Sequence, residues 1–147
     1  MMNIIFAGQN AEKTAETLFP EAMMIDAKSR REIDADCDVI GFVITLSSSA
    51  LPISIVEYID SIIKERDNRN VGYIFAVFIN PENTRSWASD WLGNLLAKRG
   101  CVLSYYAFFK DEEKDRMGEE IKKEEYRLSG NGLFYRLFKR KIQTYND

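Results

Sequence analysis

The sequence predicts a three-layer α/β/α sandwich built on a five-stranded parallel sheet in the order 2-1-3-4-5. Three observations carry that expectation. Apolar runs of strand length alternate with segments of helical periodicity along most of the chain. The two longest runs, residues 38–45 and 71–79, are apolar almost throughout, as parallel strands covered on both faces are. The composition, 147 residues with 46% hydrophobic and 29% charged, suits one packed domain rather than a disordered or membrane-embedded chain.

Residues 3–7 form the first run, ended by Gly8-Gln9-Asn10, with Asn10 placed to cap a helix over residues 11–19. Pro20 stops that helix, residues 22–26 read as a short second strand, and the charged residues 28–36 read as a surface connection. Residues 38–45 are the central strand, broken by Ser47-Ser48-Ser49. Pro52 fits the first turn of a helix whose apolar positions are Ile55, Ile59, Ile62 and Ile63, closed by residues 66–70. After the strand over 71–79 and the turn-rich residues 80–84, Trp87, Trp91, Leu92, Leu95 and Leu96 follow helical spacing to Gly100, a C-terminal stop. Residues 101–109 are the last strand. Right-handed crossovers between parallel strands make 2-1-3-4-5 the economical order.

Residues 1–110 hold the sheet. Residues 111–147 form a C-terminal helical extension of the same unit, first a charged helix or mobile segment over 111–127, then a basic amphipathic stretch. In that stretch Arg136, Lys139, Arg140 and Lys141 interleave with Leu133, Phe134, Leu137, Phe138 and Ile142, a pattern that docks on the chain's own domain, on an acidic partner or on a membrane surface.

The formal charge of −3 argues against a nucleic-acid partner. With no histidine in the chain, hydrolysis through a histidine base, histidine phosphotransfer and histidine-ligated metals are excluded. Cys37 and Cys101 each begin an apolar run, where a small buried thiol is the expected outcome, and no metal site is expected. The N-terminus leads straight into Ile4-Ile5-Phe6 without a secretory pattern or a transmembrane segment, so the expected compartment is cytoplasmic.

Open α/β sheets bind ligands beyond the carboxyl ends of their strands, near the switch point between strands one and three. Here that edge carries residues 8–11, 45–50 and 80–84. Gly8-Gln9-Asn10 reads either as a phosphate grip or as a glycine turn with an asparagine cap. The serine triplet reads as a ligand contact or as a polar strand-end loop. Trp87 and Trp91, one helical turn apart, read as helix-face core or as a stacking platform, and of Tyr105 and Tyr106 one is expected to face outward. A receiver domain would need an aspartate where Thr45 stands, and a low-molecular-weight phosphatase a cysteine and an arginine around residues 8–13; neither is present.

Asp38-Val39-Ile40-Gly41-Phe42, the loop after it, and Leu51-Pro52 with Ile55-Val56 resemble the second flavin loop of flavodoxins, especially of those fused to a bacterial-type ferredoxin. Phe6-Ala7-Gly8-Gln9-Asn10 and the run from Gly130 to Phe138 are similar to the first turn and to the linker of that family. The resemblance implies FMN as cofactor, electron transfer as function, and a site formed by Gly8, Gln9, Asn10, Ala11, Thr45, Ser47, Ser48, Ser49, Asn80 and Asn83. No cluster-forming set of cysteines follows Cys101, so no iron–sulfur cluster is expected and the redox partner, such as a ferredoxin, is a separate molecule.

The flavin loops depart from that pattern. Ala11 replaces a threonine, Thr45-Leu46-Ser47 replaces a proline, an apolar residue and a stacking tyrosine, and Asn80-Pro81-Glu82-Asn83 replaces glycines. The alternative expectation is therefore a flavin-free interaction or regulatory module. Either way the chain is an electron carrier or binding module rather than a catalyst with its own acid and base, and nothing reads as the nicotinamide site of a small flavin reductase.

Overall fold

The computed structural model describes residues 2–47, 50–63, 73–79, 85–110, 116–120 and 122–123. Strands β1 (Met2–Ala7), β2 (Met23–Asp26), β3 (Val39–Thr45), β4 (Tyr73–Ile79) and β5 (Tyr105–Phe109) alternate with helices α1 (Ala11–Leu18), α2 (Ile53–Ser61) and α3 (Arg85–Ala97). The five strands form one sheet in the order β2-β1-β3-β4-β5, and every neighbouring pair is parallel.

The core follows from the period of two along each strand. Ile5 and Ala7 of β1, Ile40, Phe42 and Ile44 of β3, and Ile74, Ala76 and Phe78 of β4 join one apolar cluster with Ile55, Tyr58 and Ile59 of α2 and Leu92, Leu95 and Leu96 of α3. The alternate residues Ile4, Phe6, Val39, Val43, Tyr73, Phe75, Val77 and Ile79 join the other cluster with Ala11 and Ala15 of α1 and with Met117. Burial on both faces explains why β3 and β4 read as unbroken apolar runs.

Polar contacts tie the connections down. The buried Asn3 accepts a 3.0 Å bond from the Asp34 N–H and donates to the Asp34 carboxylate, closing the surface connection across β1. The Tyr58 hydroxyl donates to the Arg31 carbonyl at 2.6 Å. Gly100, at φ +75°, ends α3 as expected, with its N–H bonded to Ala97 and that of Cys101 to Leu96, the paired bonds of a Schellman stop.

Several local expectations shift. The last strand begins at Tyr105 rather than Cys101, because the Cys101 N–H is spent on the end of α3 and paired register with β4 starts only at Phe75. Helix α2 ends at Ser61, before Ile62 and Ile63, and Pro52 stands just outside its first turn. Trp87 packs partly buried against the core while Trp91, with its ring centroid 5.9 Å away, is exposed. Tyr106 is the tyrosine of its pair that faces outward, at 51% exposure. Residues 116–120 are helical, within the region expected as a charged helix. The closing residues 66–70 of α2 and the basic stretch 133–142 lie outside the described residues.

Both cysteines are free and buried, as expected. Burial pushes the Cys37 thiol from an ordinary 9.0 up to about 11, outweighing the help a thiolate would receive from backbone N–H groups. The Sγ instead donates to the Val39 carbonyl at 3.1 Å. A thiol whose value is raised on folding favours the fold below its unfolded value, and that contribution is lost as pH rises through the folded one. Stability is therefore expected to fall between pH 9.0 and about 11, and the share of that loss due to Cys37 should be absent in Cys37→Ala, whose alkaline melts then decline less steeply than those of the wild type.

Candidate binding site at the sheet switch point

At the carboxyl edge of the sheet, β1 and β3 send their connections to opposite faces: β1 leads into α1 and β3 into α2. This divergence is the switch point, and residues 8–11 and 45–47 border it.

The turn after β1 is exposed at Gly8, Gln9 and Asn10. Gly8 adopts φ +99°, and a Cβ there would lie 2.6 Å from the Thr45 carbonyl oxygen and 2.8 Å from the Thr45 Cβ, so only glycine lets β1 turn off against the end of β3. Asn10 occupies the N-cap position expected for it but in a left-handed conformation, φ 63° and ψ 7°, and its side chain makes no cap bond. A capping side chain reaches back to the first turn from extended backbone, which Asn10 does not have.

That correction has a chemical result. Ala11 N–H bonds to the Gly8 carbonyl and Thr14 N–H to the Asn10 carbonyl, while the N–H groups of Glu12 and Lys13 have no acceptor among the described residues. A left-handed residue followed by right-handed helix turns successive N–H groups toward one concavity. An uncapped helix start of this kind favours an anion. Ala11 is fully buried against the sheet and offers no hydroxyl. Glu12 brings one negative charge to the same turn and the exposed Lys13 beside it one positive charge.

Thr45 ends β3 in phase with Val39 and Val43, whose side chains lie in the cluster under α1. Its side chain therefore belongs to the α1 face, next to Gly8. Thr45 is 9% exposed, and its Oγ1 is shielded from water with no hydrogen-bond partner among the described residues. This was visible in the sequence only as parity, since the hydroxyl's isolation depends on how Gly8 packs over it.

After Thr45, the Leu46 N–H bonds to the Ile79 carbonyl at 2.9 Å, and an isolated antiparallel bridge joins Ser47 to Ala50. Ser47 and Ala50 are both exposed, and Leu51 is buried where α2 begins. Ile53, the first residue of α2, is 69% exposed on this edge. Of the expected site residues, the structure brings together Gly8, Gln9, Asn10, Ala11 and Thr45, with Ser47 on the same edge; Ser48, Ser49, Asn80 and Asn83 lie outside the described residues.

No family model and no curated protein matches the sequence. The structure is similar to that of a Trp repressor binding protein from Bacillus subtilis, with a TM-score of 0.64 over 82% of this chain and 96% of that one, at 12% identity. It is also similar to a flavodoxin from Streptococcus pneumoniae TIGR4, with a TM-score of 0.53 over 82% and 94% of the two chains, at 13% identity. The chain has the flavodoxin-like fold.

Tested against FMN, the two halves of this edge differ. The phosphate half fits, because an exposed turn leads into a helix start whose Glu12 and Lys13 N–H groups have no acceptor among the described residues. The ring half presents the hydroxyl of Ser47 and the apolar Ala50 and Ile53, with no aromatic side chain in the described part of that loop. Among the described residues no cluster of three or more His, Cys, Asp or Glu side chains is placed to hold a metal, and no helix is long and apolar enough to cross a membrane.

Proposed function

We propose that this protein binds FMN at the switch-point edge and passes electrons to a separate redox protein such as a ferredoxin. The observation that supports this best is the uncapped start of α1, whose Glu12 and Lys13 N–H groups lack acceptors among the described residues, above the exposed Gly8-Gln9-Asn10 turn. In this reading the turn and the helix start hold the phosphate, and Ser47 borders the ring. When bound, FMN supplies one- and two-electron chemistry, and the chain supplies position and electrostatics. Glu12 weakens the hold on an anion, so the affinity is modest.

A thermal melt tests the reading. FMN at about a hundred times its dissociation constant adds about 2.7 kcal/mol, and each kcal/mol moves the melting temperature of a chain this size by about 2–4 °C. The shift should shrink in Gln9→Glu, which places a second negative charge in the turn. A shift of the same size in Gln9→Glu would move the phosphate elsewhere, and no shift in either protein would remove FMN as the ligand.

A second reading is a flavin-free interaction module. Ala11, buried without a hydroxyl, and the bridge that pairs Ser47 with Ala50 favour it. The strongly exposed Ile53 on the same edge then serves contact with a protein rather than with a ring.

A further inference from the structure

Positive charge is concentrated at the C-terminal end of the chain. Of the 23 acidic residues all but Asp147 lie before residue 126, whereas Arg127, Arg136, Lys139, Arg140 and Lys141 follow it. The net charge of −3 conceals this asymmetry between an acidic body and a basic end. From residue 133 the basic residues interleave with apolar ones. At 3.6 residues per turn, Leu133, Phe134, Leu137 and Phe138 fall on one side of a helix and Arg136, Lys139 and Arg140 on the other. Lys141 falls on the apolar side, where its long stem lets the ammonium reach out to water.

The folded body leaves such an apolar side little to cover. Every residue of β3 and β4 is buried, between α1 with Met117 on one face and α2 with α3 on the other. A depression beside α1 is lined by Thr14, Thr17, Leu18 and Met117, but Lys13 lines it too, and its charge repels a basic segment. A bilayer offers both things the pattern matches, apolar depth for leucine and phenylalanine and anionic headgroups for arginine and lysine. Residues 133–142, with four charges, are too short and too polar to span it, since a crossing takes about 20 predominantly apolar residues. We propose that residues 130–142 bind an anionic membrane surface, lying in the headgroup plane with Leu133, Phe134, Leu137 and Phe138 toward the acyl chains and Arg136, Lys139 and Arg140 among the phosphates. The acidic body is repelled by the same headgroups, so contact is confined to this end and tethers the domain reversibly. The contact requires no bound flavin.

Co-sedimentation of the full chain with lipid vesicles tests this. The protein should pellet with vesicles of equal parts phosphatidylglycerol and phosphatidylcholine, and stay in solution with phosphatidylcholine alone. Each basic side chain at an anionic surface contributes about fivefold, so Lys139→Glu/Arg140→Glu should bind about a hundredfold or more weaker. Phe134→Ser/Phe138→Ser keeps every charge and should still bind about tenfold or more weaker, since its apolar side no longer enters the acyl region. Without vesicles both variants should melt at the wild-type temperature. A melting temperature several degrees lower in Phe134→Ser/Phe138→Ser would place those rings in the protein's own core and overturn the proposal. Unchanged binding of that variant would overturn it as well. So would a wild type that stays in solution with the anionic vesicles; retention of that protein on immobilised polyglutamate would then put an acidic protein partner in the membrane's place.

Discussion

Replacing Tyr58 by alanine is expected to destabilise the protein by about 3–5 kcal/mol, a large share of the 5–15 kcal/mol that a domain of this kind commonly has. Tyr58 is fully buried on the inner face of α2, among the residues that pack that helix on β1 and β3. Its hydroxyl also holds the Arg31 carbonyl of the connection that runs from β2 toward β3. Truncation leaves a cavity at the centre of the α2 face and a carbonyl without that donor. Tyr58→Phe separates the two contributions, since it keeps the ring and should cost about 1 kcal/mol. Urea melts of the two variants check this; a difference below about 1 kcal/mol between them would mean that the ring contributes little and that α2 is held elsewhere.

Gly8→Ala is the second large effect, expected at about 2–4 kcal/mol. The added Cβ would meet the Thr45 carbonyl oxygen at 2.6 Å, and that oxygen belongs to a central strand that cannot shift cheaply. The left-handed φ of +99° adds strain for any residue with a side chain. Relief can come only by lifting the turn off β3, which misplaces the start of α1, so FMN affinity should fall together with stability. Asn10→Gly is the matched control, because glycine accepts the left-handed conformation there and no cap bond is lost. A stable Gly8→Ala variant would show that the turn is not pinned by Thr45.

Most of the architecture was legible in the sequence. The unbroken apolar runs of β3 and β4 identify strands buried on both faces, Gly100 marks the end of α3, and the alternation of strands and helices leads to the observed sheet order. Element ends were less legible, because they depend on which partner claims each backbone group. Cys101 looks like strand from its apolar neighbours but gives its N–H to Leu96 at the end of α3.

The candidate site was legible as a location and less so as chemistry. The placement rule for open sheets singles out Gly8, Gln9, Asn10, Ala11, Thr45 and Ser47 from connectivity alone. Residue type makes Asn10 a cap, whereas its left-handed backbone leaves the helix start uncapped and open to an anion. The resemblance to flavodoxins assigns Thr45 to the place of a proline in the second flavin loop, and strand phase puts its side chain on the α1 face under the turn. Both features arise from backbone geometry that a string of residue types does not specify.

The most direct test of the central claim is a visible absorption titration of FMN with the purified protein. The account predicts saturable one-to-one binding with a shifted flavin band, lost when riboflavin replaces FMN at the same concentration. An unchanged flavin spectrum across the titration would contradict it and leave the flavodoxin-like fold here as the scaffold of a protein-binding module.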